Sequence, residues 1–178
     1  MSAFGSKQPV LKPQDLVVVL KLAGMQNAEQ TFAALARDLL MSASEVHAAV
    51  QRCIASHLLD RSDGTFGVNR VSLREFLLHG VRYVFPIVAG PVMRGMPTGV
   101  SAPPLDAFFE HADLLPVVWP DPEGAVRGVA ICPLYPSVPG ACKLDPTLYR
   151  LLALVDALRG GAARERELAE QLLMDSIQ

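Results

Sequence analysis

Most of the signatures that would give these 178 residues a chemistry of their own are missing. No GxGxxG segment occurs and no glycine-rich loop ends in lysine and serine, so the common phosphate-cradling patterns of nucleotide enzymes are absent. There is no GxSxG elbow to carry a serine nucleophile. Cysteine is sparse: Cys53, Cys132 and Cys142 form an odd set with no CxxC, which points to a reduced, cytoplasmic setting. The histidines His47, His57, His79 and His111 are scattered, and Glu110-His111-x-Asp113, the one local cluster of ligand types, matches no common zinc motif. Neither catalysis, nor a metal, nor a cofactor is expected.

Long apolar runs are also lacking. The most apolar window, Phe76 to Met93, is broken by His79, Arg82 and Pro86 and falls short of a membrane span. The first residues, MSAFGSKQPVLKP, lack the apolar core of a signal peptide, and residues 1–11 read as a loose arm. Charge is low at 19%, against 51% hydrophobic residues, and an excess of that kind implies apolar surface buried against a partner. The net charge of −2 divides unevenly: residues 1–85 carry 9 Lys+Arg and 7 Asp+Glu, residues 86–178 carry 7 and 11. The mild positive balance of the first half agrees with a polyanionic partner there but is far from a basic patch.

What is present is organised around TFAALARDLLMSASEVHAAVQRCIASHLLD. Phe32, Leu35, Ala36 and Leu39 share one helical face. Ser42-x-x-Glu45 has the form of a capping box that opens a second helix, whose apolar stripe is Val46, Val50, Cys53, Ile54 and Leu58. Helical rotation then puts Ser44, Ala48, Gln51 and Ala55 on the opposite face, flanked by His47 and Arg52. Small residues, amides and hydroxyls on such a face suit close approach to a DNA major groove, with Arg52 on a base or a phosphate. Helical pairs of this kind also serve as dimer or partner surfaces, the lesser alternative here.

On these residues the segment LARDLLMSASEVHAAVQRCIASHLLDR resembles winged helix-turn-helix regulators of the MarR type, over residues 12–70. The resemblance implies Leu35-Ala36 in the supporting helix, Ser42 opening the recognition helix and Leu58-Leu59 entering the wing. Leu40 and His57 depart from the pattern, standing where such families often place glycine, so a longer or differently capped turn and exit are expected.

Around this core, Pro13 and the spacing of Leu16, Val19, Leu20 and Ala23 predict a first helix. Asp63-Gly64 predicts the turn of a hairpin wing, from which Arg61 and Arg70 reach phosphates. Ser72-x-x-Glu75 predicts another helix running to Val84, weakened by Gly80. Twelve of the 14 prolines fall between Pro86 and Pro146, which excludes continuous helix there. Within that stretch LLPVVW and AVRGVAI, joined by PDPEG, predict a β-hairpin. Asp145-Pro146 opens a helix with the stripe Leu148, Leu151, Leu152, Val155 and Leu158, and a final helix over 163–174 carries Leu168, Ala169, Leu172 and Leu173.

The expected fold is therefore mainly α with small β: a winged helix-turn-helix domain over 12–85, a proline-rich arm with a β-hairpin over 86–144, and a C-terminal helical pair over 145–178. The expected function is DNA-binding transcriptional regulation on double-stranded operator DNA, through Ser42, Ser44, His47, Gln51, Arg52, Arg61 and Arg70. The alternative is a protein-binding module of antitoxin or multisubunit-assembly type. Arg94 and Thr98 in a glycine-containing loop, with Trp119 and Arg127, are candidates for a ligand or partner site, against a plain packing role. The two C-terminal leucine stripes suggest a homodimer seam, or else a fold-back that completes one monomeric core.

Overall fold

The computed structural model describes residues 9–25, 31–62, 65–109 and 115–177. Most of the expected N-terminal arm, the Asp63-Gly64 turn and the Glu110-His111-x-Asp113 cluster lie outside them. The architecture is mixed α/β with helices dominant. α1 (Pro13–Ala23) starts on proline, and Asp15 accepts the backbone N–H of Lys12 at 2.8 Å to close its first turn. Leu16 to Leu20 are all buried, so this helix is central rather than merely supporting.

α2 (Phe32–Leu39) is capped by Thr31, and α3 (Ala43–Ala55) by Ser42, whose hydroxyl accepts the N–H of Glu45 at 3.1 Å. The buried stripe of α3 is Val46, Ala49, Val50 and Cys53, which fixes its phase as expected. The glycine departures are resolved in an unexpected way. Leu40 and His57 themselves take the left-handed conformation, at φ 53° and 57°. Each sits at the exit of a Schellman closure: Met41 N–H donates to Ala36 O at 2.9 Å after α2, and Leu58 N–H to Cys53 O at 2.9 Å after α3. Burial of Met41 and Leu58 holds the two turns tight, so neither is lengthened.

β1 (Leu59–Ser62) and β2 (Thr65–Val68) follow as an antiparallel ribbon, with Leu59 opposite Val68 and Arg61 opposite Phe66. α4 (Arg70–Glu75) begins ahead of the expected Ser72 box, because the Asn69 side chain caps it by accepting Ser72 N–H at 3.0 Å. The helix widens to a π turn over Phe76–Gly80, where the glycine was expected to weaken it, and recovers as α5 (Val81–Val84).

The proline-rich region holds three strands, β3 (Ala89–Pro97), β4 (Val117–Pro120) and β5 (Val126–Ile131). The expected hairpin is not formed. β4 and β5 pair in parallel, at Val117 with Val129 and Val118 with Ala130, and each pairs antiparallel with β3. Three strands close on one another this tightly because glycine stands at the crossings: a Cβ on Gly95 would lie 2.2 Å from Trp119 O, and one on Gly128 2.1 Å from Pro116 O. The segment around Arg94 is thus strand, not an anion-holding loop.

α6 (Val138–Leu144), α7 (Pro146–Gly160) and α8 (Ala163–Ser176) complete the chain. α7 is buried from Leu151 to Arg159 and packs against α1, α5, α6 and α8. One apolar cluster contains Leu16 and Leu20 of α1, Val50 of α3, Leu77, Leu148, Leu152 and Val155 of α7, and Leu173 of α8. Of the C-terminal stripes that suggested a dimer seam, Leu148, Leu151, Leu152, Val155, Leu158 and Leu173 are buried inside the chain, and Leu168 and Leu172 lie half-buried against the same cluster. Among the described residues no helix is long and apolar enough to cross a membrane.

Candidate nucleic-acid interface

On α3 the residues left outside are Ala43, Ser44, His47, Gln51 and Ala55, with Ala48 half-buried between them. Ser42 is exposed at the first turn, held to its cap and to the Ser44 hydroxyl at 3.0 Å. His47 is placed by aromatic contacts: its ring meets Phe32 edge-on at 5.1 Å, and Phe32 stacks on Phe66 of β2 at 5.6 Å. The β1–β2 ribbon is thereby fastened beside α3, with Arg61 exposed on it and Arg70 half-buried where α4 begins.

Arg52 is not part of this face. Its Nε and Nη2 donate to the two carboxylate oxygens of Asp15 at 2.8 and 2.6 Å. Asp15 is fully buried, and its hydrogen bonds hold the guanidinium pKa above the ordinary arginine value. Arg52 fastens α3 to α1. Beside it, Cys53 is pushed up to about 12 by burial, which makes the thiol inert at neutral pH.

The first turn of α3 is clasped from the C-terminal side. Tyr135 donates its hydroxyl to Glu45 Oε2, and Ser137 donates to Leu39 O at 2.6 Å. Glu45 therefore does not complete the expected capping box. The hydrogen bond to Glu45, with burial, raises the Tyr135 phenol.

Of the second candidate group, Thr98 and Trp119 are brought together, but around a buried carboxylate. Thr98 Oγ1 and Trp119 Nε1 donate to Asp156 Oδ2 at 2.8 and 2.7 Å, and Arg159 Nη1 donates to Oδ1. Arg159 Nε reaches Phe85 O at 2.7 Å. Burial pushes the Asp156 carboxyl up, opposed by Arg159 and the hydrogen bonds from Thr98 and Trp119. Every donor finds an acceptor, so this network joins the strands to α7 rather than awaiting a ligand. Arg94 and Arg127 are cross-strand neighbours, both exposed, with Arg94 also donating to Gly124 O at 3.1 Å.

The sequence reading missed Asp15, Asp156 and Arg159. The visible signal was an aspartate and an arginine three apart inside LLALVDALRG, an otherwise apolar helix. No group of histidine, cysteine and carboxylate side chains among the described residues is arranged to hold a metal. The chain matches no protein-family model, no curated protein and no solved structure.

Proposed function

We propose that this chain is a winged helix-turn-helix regulator of transcription, reading operator DNA with α3 and steadying the duplex with the β1–β2 ribbon. The carrying observation is the outer face of α3: Ser44, His47 and Gln51 exposed around the small Ala48 and Ala55, next to a ribbon that exposes Arg61. The amide of Gln51 matches the paired donor and acceptor of adenine in the major groove. Arg61 and Arg70 contact phosphates, and Arg52 is withdrawn from the reading set. Fluorescence anisotropy on fragments selected from random DNA tests this. Binding should fall with salt, and Arg61→Ala should reduce the salt slope by about 1 without changing the selected sequence. Gln51→Ala should relax the preference at one base pair. Absence of any salt-dependent DNA binding would leave the protein-binding module as the better reading, favoured by the exposed Tyr83 and Val88.

A further inference from the structure

Four charged residues, Arg164 to Glu167, stand in a row at the start of α8, and the inner two are already committed. Glu165 Oε2 accepts the N–H of Ala162 at 2.6 Å, and Arg166 Nη1 donates to Gly161 O at 2.6 Å, so both close the entry of the helix. The outer two, Arg164 and Glu167, are exposed and make neither a hydrogen bond nor an ion pair with any described residue. Three residues apart on one helix they are spaced to pair with each other, yet they do not. Leu168, half-buried, and Gln171, exposed, share their face of α8. Against that face comes the chain leaving a 3₁₀ turn over Leu105–Ala107, which Leu105 anchors by full burial. Its next two residues, Phe108 and Phe109, line with these four side chains of α8 a cleft of about 270 Å³. Phe108 is 57% exposed beside it.

We propose that this cleft binds a free α-amino acid with an aromatic or large apolar side chain. Size, lining and charge select that class together. The volume lies just under the roughly 300 Å³ at which pockets for drug-sized ligands begin, which admits a single ring and not a nucleotide. Phe108, Phe109 and Leu168 offer the apolar contact, and phenylalanine rings take another ring edge-on or offset. Arg164 supplies paired N–H donors for a carboxylate, and Glu167, one turn along, accepts from an ammonium. An α-amino acid carries those two charges on neighbouring groups, which suits a cation and a carboxylate whose Cβ atoms lie about 5 to 6 Å apart on one helix. A simple anion drawn to Arg164 would be repelled by Glu167, and a simple cation drawn to Glu167 would be repelled by Arg164. The free amide of Gln171 donates to the carboxylate or accepts from the ammonium.

This site stands apart from the DNA-binding reading, which neither supports it nor falls with it. The full chain, isotope-labelled for NMR, is titrated with L-phenylalanine, with hydrocinnamate, which lacks the ammonium, and with phenethylamine, which lacks the carboxylate. Saturable shifts at Phe108, Leu168 and Gln171 are expected with millimolar L-phenylalanine, and each one-charge analogue should bind more weakly by about threefold or more. Arg164→Gln should bring L-phenylalanine down to the level of phenethylamine, and Glu167→Gln to the level of hydrocinnamate. Both variants change exposed side chains of α8, and unchanged circular dichroism verifies that they fold. Flat titrations with every probe, as a cleft filled by residues 110–114 of the chain itself would give, overturn the proposal. L-phenylalanine binding no tighter than either analogue also overturns it, since the cleft would then be an apolar surface without the two-charge recognition. Shifts confined to residues away from the cleft, or affinities indifferent to both variants, do the same.

Discussion

Arg52 and Asp15 close on each other through two side-by-side hydrogen bonds, 37 residues apart in sequence and between α3 and α1. The carboxylate is out of contact with solvent, and the guanidinium retains 19% of its exposure. Such a pair contributes little net stability when intact, yet removing one partner strands a charge. Arg52→Ala should therefore lower stability by about 3 kcal/mol in urea unfolding. Replacing the pair together, Asp15→Asn with Arg52→Met, should recover most of that loss. An Arg52→Ala protein as stable as its parent, and altered only in binding, would return Arg52 to the docking face.

Asp156 makes the corresponding junction between the strands and α7. Trp119→Phe removes one donor from a buried carboxylate and leaves part of the indole volume empty, a loss of about 2 kcal/mol. Asp156→Asn should cost more, about 3 kcal/mol or above, because Arg159 is then buried without its counter-charge. Guanidinium titrations of both variants check the order. Equal losses would mean that the indole bond, not the ion pair, dominates the junction.

These two junctions also mark where the sequence was readable and where it was not. The apolar stripes of α2, α3 and α7 repeat every three or four residues, so they were legible locally, and burial of Val46, Val50, Leu148 and Leu152 follows from them. Arg52 lies at the border of its helix's stripe, where a long side chain can turn inward or outward. Its direction was decided by Asp15, which no local pattern reveals. Strand positions around Val117 and Val129 were visible for the same local reason. Their parallel pairing was not, since it depends on β3 and on close approach at Gly95 and Gly128. The outer face of α3 was read correctly at Ser44, His47 and Gln51 because exposure there is simply the complement of the buried stripe.

His57 supplies a test of backbone strain. Its φ of 57° ends α3 in a conformation that costs an ordinary L-residue about 1 to 2 kcal/mol and glycine nothing sterically. The side chain is exposed, so little packing is forfeited. His57→Gly should raise stability by about 0.5 to 1 kcal/mol after the added freedom of the unfolded chain is subtracted. Leu40→Gly should gain less, because the Leu40 side chain lies against Gly140. Thermal unfolding of both variants measures the difference, and a lowered midpoint for His57→Gly would contradict the closure described for α3.

Asp145 joins two roles that pH separates. Its carboxylate caps α7 by accepting Leu148 N–H at 3.0 Å, and it takes Lys21 Nζ of α1 at 2.8 Å, with Asp38 of α2 3.4 Å from the same ammonium. Burial alone would raise the Asp145 carboxyl and lower the Lys21 ammonium. The contact between them outweighs it, so Asp145 lies below its ordinary value and Lys21 above. A depressed carboxylate adds stability above its unfolded pKa of about 4 and loses it as pH falls through the folded value. A raised ammonium adds stability below about 10.4 and loses it as pH rises through the folded value. Asp145→Asn keeps an oxygen for the cap and removes the charge. It should cost about 1 kcal/mol across pH 5 to 9, with the gap from the parent closing below about pH 4 as Asp145 protonates. Asp145→Ala should lose about 1 kcal/mol more at every pH, since the cap goes too. Urea midpoints for the three proteins from pH 3 to 9 decide it: a gap between parent and Asp145→Asn that persists unchanged at pH 3 would show that the charge of Asp145 does not hold α7 to α1.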